Sequence, residues 1–439
     1  MGFQAFPVLR IGGSFKVYEL ISLVLIFVNI AQTTSNKRTN VISIITFLFF
    51  VFSPIASFLY SRLFLDYPSA FFTRYRETSG LRYNYYVFPL LQIMYMVFNY
   101  VVFTSFISAR NIYVNLDQIL KTAILLGTII ACYSLFAMYG YDFIAKFPEF
   151  IQAKGPYNDR STGLSQEPGA YVLYQGWICL FIFFSKNLYS KSGWLILLII
   201  NVTSLILTFS TILVALGAII LVSIFLFRLT AKTKRKFLLA ITILLAAVFS
   251  WVFFFDDQGL VDRYFINKIS DFAASKNDNT LTSGATRSYT SGIGYEIFKQ
   301  YPLFGVGVGS SNYYMYTYEY KMGILFFGER LQPNTFPQNL FSCVFSEQGI
   351  VGAIFLFVLL IYLLYKFWIK RNKSGYHKMF LIGMLFTLFS MFSISPAYLL
   401  FLWVYAAFGI GYIKFYDETH STGNNLVISS GTALELSKL

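Results

Sequence analysis

One stretch decides the fold class: LLAITILLAAVFSWVFFF, from Leu238 to Phe255, contains no charged side chain. A helix needs roughly 20 apolar residues to cross about 30 Å of hydrocarbon, so a run of this length predicts a membrane span. In lipid every backbone polar group must be paired internally, and only helices and closed barrels achieve this. The run is continuously apolar, without the alternation of barrel strands, and therefore predicts a helix.

The composition of the whole chain agrees with this prediction. Of its 439 residues, 56% are hydrophobic and only 12% are charged, and the mean hydropathy is +0.61. Soluble domains carry about 25% charged residues, so we expect an integral membrane protein. The net charge of +14 is explained by basic residues that orient helices, and we expect no nucleic acid as a partner. The three scattered cysteines and two histidines predict neither a disulfide framework nor a metal site.

Apolar segments recur along the chain and predict about eleven transmembrane helices. They lie near residues 17–31, 41–60, 86–107, 117–139, 169–184, 193–209, 211–228, 237–255, 349–367, 379–394 and 397–415. We therefore expect an all-α polytopic fold. Residues 1–415 would form a single transmembrane domain, and the polar residues 416–439 a disordered tail.

Two basic segments orient these helices. Residues 228–236 and 366–378 are dense in lysine and arginine and should face the cytoplasm. They place residues 256–336 outside as a large extracytoplasmic cap loop, and the tail inside. Its length of about 80 residues exceeds a simple connection and suggests a small helical cap.

The same orientation places residues 61–85 outside, against the positive-inside tendency. This segment carries four arginines: Arg62, Arg74, Arg76 and Arg82. Either one helix is miscounted, or these arginines face an anionic extracytoplasmic ligand. Tyrosines also cluster at residues 83–86 and 313–320. They form an aromatic belt at the membrane interface or a surface on which sugar rings stack.

The first candidate motif is NDRSTGLSQEP, residues 158–168. Pro168 suits the first turn of a helix, where a missing N–H has no consequence. The N-terminus of that helix, with Arg160 beside it, is suited to an anion such as phosphate. Alternatively, Glu167 complements the helix dipole and pairs with Arg160, which would make both residues structural.

The second candidate motif begins with Arg287 and Tyr289 and continues with YPLFGVGVG, residues 301–309. Its alternating glycines, Gly305 and Gly307 among them, permit positive φ angles or a close backbone approach. The spacing is not that of a dinucleotide-binding loop, and no βαβ pattern surrounds it. Alternatively, the glycines form a turn that seats the cap on the helices.

The third candidate motif is FPQNL, residues 336–340, followed by SEQGIVG, residues 346–352. It places Gln338, Asn339 and Glu347 near the entrance of an apolar span. A carboxylate at membrane depth is costly, so such residues are functional candidates. Alternatively, Glu347 is an interfacial residue that reaches water.

The order of these three motifs resembles the O-antigen polymerase and ligase superfamily over residues 155–370. The resemblance implies a membrane glycosyltransferase of the GT-C type, without a cofactor or metal, in the bacterial inner membrane. Its partners would be oligosaccharide carried on undecaprenyl pyrophosphate, membrane lipid and a chain-length regulator, and its active site would face the periplasm or the cell exterior. Gln338 stands where ligases have His, which favours a polymerase that joins repeat units into O-antigen, capsule or exopolysaccharide.

The resemblance also assigns roles. Arg160 and Arg287 would bind pyrophosphate, because a guanidinium binds phosphate oxygens bidentately and keeps its charge. Glu167 would take the acceptor proton, with Glu347 as second choice. The predicted substrate-binding residues are Arg330, Tyr289, Gln338, Asn339, Gly305 and Gly307.

Three rival functions remain open. A ligase would transfer finished glycan to another acceptor. A transporter or flippase of lipid-linked sugar would need ionisable groups or broken helices at the membrane midplane, whereas the predicted spans are nearly free of charge at their centres. A non-catalytic scaffold would leave the arginine and glutamate motifs without a role.

Overall fold

The computed structural model describes residues 7–10, 14–16, 41–74, 84–138, 161, 168–208, 210, 283–322, 336–394 and 401–421. This part of the chain is helical apart from one antiparallel hairpin, in which β1 (Pro7–Arg10) pairs with β2 (Ser14–Lys16). The expected helical class is therefore confirmed, and the hairpin is an addition that the apolar pattern did not predict.

Twelve helices lie within the described ranges, and we number them in chain order. They are α1 (Val41–Phe64, π-helical at Leu48–Phe52), α2 (Ser69–Arg74), α3 (Val87–Ser108), α4 (Arg110–Val114), α5 (Leu116–Met138), α6 (Pro168–Phe184), α7 (Lys191–Ile206), α8 (Ser283–Gln300), α9 (Ser311–Met322), α10 (Leu340–Lys370), α11 (Gly375–Ser390) and α12 (Phe401–Ser421).

Four of the described helices, α1, α3, α5 and α10, are long and apolar enough to cross a membrane. Two shorter helices, α6 and α7, are also apolar. Helix α6 begins at Pro168, as the preference of proline for the first helical turn predicts. The predicted spans at residues 17–31, 211–228 and 237–255 lie outside the described residues, so the total of about eleven stays a prediction.

Two predicted boundaries are wrong. Helix α10 begins at Leu340 rather than near residue 349, because the Asn339 side chain caps it by accepting from the backbone N–H groups of Phe341 and Ser342. Helix α12 continues to Ser421, past the predicted start of the tail at residue 416. In its last turn the Thr419 hydroxyl donates to the Phe415 carbonyl at 3.1 Å. Residues 422–439 lie outside the described part.

The main apolar core is built from α1, α3, α5, α6, α7, α10, α11 and α12, and the contact of α6, α11 and α12 shows how it packs. The Tyr405 ring stacks on Trp177 with centroids 4.7 Å apart, and its hydroxyl donates to the Met379 carbonyl at 2.8 Å. Gly383 of α11 permits this approach, because a Cβ there would overlap the Tyr405 ring. These helices are uninterrupted, so their backbone groups are paired internally.

The helix ends fall into two groups. At one end, Arg62 of α1 contacts the Tyr85 carbonyl and the Ser310 hydroxyl, which joins α1, the start of α3 and the start of α9. At the other end, the Tyr376 hydroxyl donates to Asp117 at 2.6 Å, which joins the starts of α11 and α5. We call these the strap end and the Asp117 end.

Candidate functional site

Helix α10 is broken near its first third. Gly349 has φ 62° and ψ −158°, a backbone conformation outside the helical region. Such a conformation favours glycine, which lacks a Cβ. The break divides α10 into two half-helices and removes hydrogen bonds from the backbone on both sides of Gly349.

Residues 301–310, which we call the strap, satisfy the carbonyls that the break releases. The Val306 N–H donates to the Ser346 carbonyl at 2.9 Å. The Gly307 N–H donates to the Glu347 carbonyl at 2.9 Å. In an uninterrupted helix these two carbonyls would accept from the residues four positions later in α10.

The strap also pairs the N–H groups on the far side of the break. The Ile350 N–H donates to the Pro302 carbonyl at 2.8 Å, and the Val351 N–H donates to the Leu303 carbonyl at 3.3 Å. Four hydrogen bonds from one loop thus replace the helical bonds that α10 loses. Non-helical backbone at membrane depth is tolerated where protein covers it, and the strap provides that cover.

The strap glycines are required by this close approach. Gly305 has φ 66°, and a Cβ on it would lie 2.5 Å from the Glu347 carbonyl carbon. Gly307 has φ 94°, and a Cβ on it would lie 2.6 Å from the Ser61 hydroxyl. The interpretation of the glycine run as a turn that seats residues 301–310 on the helices is therefore confirmed. Binding of substrate by these glycines stays a prediction.

The Glu347 side chain connects the broken helix to α9. Its carboxylate is 2% exposed and accepts a hydrogen bond from the Ser311 hydroxyl at 2.8 Å. The backbone of Gly309 and Ser311 also hydrogen-bonds to it. Ser311 is the first residue of α9, so the carboxylate complements the positive end of that helix. The alternative in which Glu347 reaches water is wrong.

Helix α1 also contacts the junction. The Ser57 hydroxyl donates to the Glu347 carbonyl, and the Ser53 hydroxyl donates to the Gln348 side chain at 2.5 Å. Ser53, Ser57 and Ser61 are all buried and lie four residues apart, which places them on one helix face. This serine spacing was the sequence signal that could have identified the face of α1 at the site.

Arg62 lies beside the strap on the same helix. Its guanidinium donates to the Tyr85 carbonyl at 2.7 Å and to the Ser310 hydroxyl at 3.0 Å. The guanidinium carbon lies 3.5 Å from the centroid of the Tyr85 ring, which is a cation–π contact. Arg62 thus ties α1 to the start of α9, next to the residue that holds Glu347.

Buried tyrosines surround this contact. Tyr85 packs with Tyr313 and Tyr314 in one apolar cluster. Burial raises the pKa of Tyr313 and of Tyr314, and it raises the pKa of Tyr318 to about 12. Their hydroxyls are therefore neutral at physiological pH, and Arg62 is the cation that they surround.

Helix α8 brings two further predicted site residues to α10. Arg287 and Tyr289 lie in its first turns, partly buried. Directly after them, the Thr290 hydroxyl accepts from the Gln338 N–H at 3.3 Å. The Ser342 hydroxyl of α10 donates to the carbonyl of α8 residue 291 at 2.6 Å. The predicted residues Arg287, Tyr289, Gln338 and Asn339 therefore lie along one contact between α8 and the start of α10.

Ser161 anchors the first motif to the helices. Its N–H donates to the Leu207 carbonyl at 2.9 Å, and its hydroxyl contacts those of Ser134 and Ser204 at 2.7 and 3.0 Å. Ser161 is fully buried, so the residue after Arg160 is fixed between α5 and α7. No local pattern in the motif predicts this hydroxyl cluster, because its members come from three separate segments.

Three predicted site residues, Arg160, Glu167 and Arg330, lie outside the described residues. Their roles stay predictions. Within the described ranges, no group of three or more His, Cys, Asp or Glu side chains is placed to hold a metal ion.

The strap and the broken part of α10 lie inside a segment that is similar to a known family. Among curated proteins, none matches the chain. Residues 194–357 match the model of the O-antigen ligase family, and this segment includes α8, the strap, α9 and the break at Gly349. The match supports an O-antigen ligase- or polymerase-type membrane enzyme that acts on lipid-linked glycans.

Proposed function

We propose that this chain is a polymerase that joins lipid-linked oligosaccharide repeat units on the extracytoplasmic side of a bacterial inner membrane. The observation that carries the proposal is the broken helix α10, held by the strap within the segment that matches the O-antigen ligase family. Broken helices also occur in transporters, where they place polar backbone and helix ends inside the bundle, so the family match, and not the break alone, favours an enzyme.

The proposed reaction is a glycosyl transfer. The bond between the anomeric carbon of the growing chain and its lipid pyrophosphate breaks, and the electron pair leaves with the pyrophosphate. A hydroxyl of a second lipid-linked repeat forms the new bond to that carbon, and its proton passes to a carboxylate. The leaving group is already activated, so the protein has to bind the pyrophosphate charge, orient the acceptor and accept one proton.

Arginines serve the first of these tasks. Arg287 lies in α8 against the start of α10, and Arg160 precedes the anchored Ser161. A guanidinium presents planar donors that fit two phosphate oxygens at once. We assign Arg160 and Arg287 to the pyrophosphate, with Arg330 as a further candidate.

Two glutamates are candidates for the proton acceptor. Glu167 directly precedes Pro168, the first residue of α6, and is the first choice. Glu347 is buried and bonded to Ser311, so it would have to leave that contact before it could accept a proton from substrate. These contacts favour a positioning role for Glu347 and support Glu167 as the base.

A ligase is the second candidate function, because the matching family model describes O-antigen ligases. A ligase would transfer one finished glycan to an acceptor of a different kind. Gln338 cannot act as a base, which favours the polymerase over a ligase mechanism that uses His at this position.

Incubation of the purified chain with lipid-linked repeat units tests the proposal. A polymerase produces a ladder of products with two, three and more repeats. A ligase gives no ladder without its separate acceptor, and a transporter moves the lipid-linked sugar without forming a bond. A chain-length regulator added to the same assay should narrow the ladder without being needed for bond formation.

Arg287→Lys tests the assignment of the pyrophosphate site. Lysine keeps the charge but loses the bidentate fork, so we expect polymer formation to fall by about tenfold or more. Arg110→Lys is the matched control, because Arg110 is exposed and lies in α4. Polymer of normal length and yield from the Arg287 variant would show that this arginine is structural.

A further inference from the structure

Arg62 lacks the partner that a semi-buried cation normally has. The side chains that interact with it electrostatically are those of Tyr85, Tyr314 and Tyr313, and burial raises the pKa of Tyr313 and of Tyr314. No carboxylate forms an ion pair with Arg62 among the described residues, where the ion pairs join Lys299 to Glu296, Lys370 to Asp417 and Lys414 to Glu418. Withdrawing a charge from water without an opposite charge is costly, so a counter-anion is expected at such a site.

The guanidinium also keeps hydrogen-bonding capacity in reserve. Its hydrogen bonds to described residues go to the neutral oxygens of Ser61, Tyr85 and Ser310, which use three of its five N–H donors. Its Nε–H is buried and has no hydrogen-bond partner among the described residues. A buried donor without a partner is rare in proteins, but the protein itself covers this one, so the donor left for a ligand is the second N–H of the terminal nitrogen that bonds to Ser61.

Exposed aromatic rings lie next to this cation. Tyr85 packs against both Tyr67 and Tyr86, with ring centroids 5.0 and 5.2 Å apart. Tyr67 is 52% exposed and Tyr86 is 58% exposed. An exposed aromatic face packs well on the C–H face of a sugar ring, so these tyrosines and Arg62 together offer an apolar platform with one cation at its edge.

The start of α9 adds to the positive potential. Ser310, which accepts from Arg62, directly precedes α9. The N-terminus of a helix carries a partial positive charge. The next hydroxyl, that of Ser311, donates to Glu347. Arg62 and Glu347 thus bond to neighbouring serines and not to each other, so the carboxylate of Glu347 does not neutralise the cation.

We propose that Arg62, Tyr67 and Tyr86 form a subsite for an acidic sugar of the glycan. The guanidinium binds the carboxylate of the sugar, and the exposed rings of Tyr67 and Tyr86 pack on its C–H face. The subsite rests on the proposed function in one respect, namely that the glycan is the lipid-linked repeat. It narrows the proposed substrates to repeats that contain a uronic acid. The subsite binds and orients the glycan and takes no part in bond formation.

Binding of two matched oligosaccharides tests the subsite without any reaction. The full chain is placed in nanodiscs of phosphatidylcholine, so that anionic lipid does not compete. The probes are hyaluronan tetrasaccharide, which contains glucuronate, and the same tetrasaccharide with its carboxyl groups reduced to alcohols. We expect the dissociation constant of the acidic probe to be at least about tenfold lower than that of the reduced probe, because only the acidic probe can form a charged hydrogen bond with Arg62. Equal affinity for the two probes would overturn the proposal, with no variant needed.

Variants then locate the binding. Arg62→Gln should lower the affinity for the acidic probe to that for the neutral one, whereas Arg110→Gln should change neither. Tyr86→Ala should weaken the binding of both probes. Because Tyr86 is exposed, this variant tests the site even if Arg62→Gln does not fold. An unchanged preference in a folded Arg62→Gln, or unchanged binding in Tyr86→Ala, would show that Arg62 is only a structural clamp or that the sugar binds elsewhere.

A third probe separates two sources of anion. Inorganic pyrophosphate should bind equally well to the wild type and to Arg62→Gln. If pyrophosphate binding depends on Arg62 while the acidic sugar shows no preference, the site holds the lipid pyrophosphate and the proposal fails. A chain that prefers the acidic sugar but forms no ladder would refute the polymerase and leave the subsite in place.

Discussion

The two halves of α10 and the pair α11 and α12 show two ways to pack helices in one apolar chain. Helix α11 is continuous, and Gly383 brings it against the Tyr405 ring of α12. Helix α10 is broken at Gly349 and depends on four hydrogen bonds from the strap. In the first contact, side chains pack on a helix whose own backbone hydrogen bonds are complete. In the second, the strap supplies backbone hydrogen bonds that α10 lacks.

This difference decides what each region can contribute to function. A continuous helix satisfies its own backbone and presents only side chains. A broken helix presents backbone groups and a half-helix end, and it fixes the polar residues beside the break, here Glu347 and Gln348. We therefore expect substitutions at the break to affect both stability and activity, and substitutions in the continuous pair to affect stability alone.

The largest expected effect comes from Gly305→Ala. The new Cβ would overlap the backbone of Glu347, and φ 66° is strained for alanine. Strain of this kind costs about 1–2 kcal/mol before the overlap is counted, so we expect a loss of stability above about 2 kcal/mol and almost no polymer. Thermal unfolding in one fixed detergent and the ladder assay measure the two effects.

Gly292→Ala is the control for that substitution. Gly292 is an exposed residue of α8 where a Cβ would meet no atom within 4 Å. Alanine there should be neutral or stabilise the helix by about 0.5–1 kcal/mol. If Gly305→Ala unfolds at the same temperature as the wild type, the strap does not pack on α10 as described.

The next effect separates the two candidate glutamates. Glu167→Gln should lower single-turnover polymerisation by at least about 10²-fold, because general-base catalysis contributes about 10²- to 10⁴-fold, while thermal stability stays within about 1 kcal/mol. Glu347→Gln should lower stability by about 1–3 kcal/mol, because an amide nitrogen would face the N–H groups of Gly309 and Ser311.

Rate per folded molecule distinguishes the outcomes for this pair. A fully active Glu167→Gln would remove Glu167 from the mechanism and direct attention to Glu347. A stable but inactive Glu347→Gln would contradict the positioning role that its contact with Ser311 favours.

In the continuous pair, Gly383→Ala should lower stability by about 1–3 kcal/mol, because the new Cβ overlaps the Tyr405 ring. Polymer formed per folded molecule should not change. The measurement is the ladder assay normalised to the amount of protein that remains folded. A loss of activity beyond the loss of folded protein would show that α11 and α12 also shape the site.

The helices could largely be predicted from the sequence, and the junction could not. Continuous apolar runs located α3, α5 and α6 within a few residues, and Pro168 marked the start of α6. These features depend on local sequence. The apolar run of α10 appeared to begin at residue 349 because the residues before it are more polar. The helix in fact extends to Leu340, where Asn339 caps it.

The polar contacts of the junction depend on residues far apart in sequence. Ser57 and Glu347 are separated by 290 positions, and no local pattern indicates that they meet. The glycine run predicted a close backbone approach, but not which backbone it would approach. The predicted topology placed Arg62 outside, against the positive-inside tendency. The structure adds its position beside the strap and Tyr85.

The smallest effect compares one serine from each region. Ser57→Ala removes a hydrogen bond between α1 and the Glu347 carbonyl, and such bonds between membrane helices contribute about 0.6 kcal/mol on average. Ser390→Ala removes a bond within α11, from the Ser390 hydroxyl to the Phe386 carbonyl at 2.9 Å. A bond of this kind does not hold helices together and slightly disfavours the helix, so its loss should leave stability unchanged. Because the Glu347 carbonyl keeps its bond from Gly307, we expect Ser57→Ala to lower the unfolding free energy only modestly and to leave polymer length intact. Parallel thermal unfolding of the two variants measures the difference, and an equal loss in both would mean that the serine face of α1 does not support the broken helix.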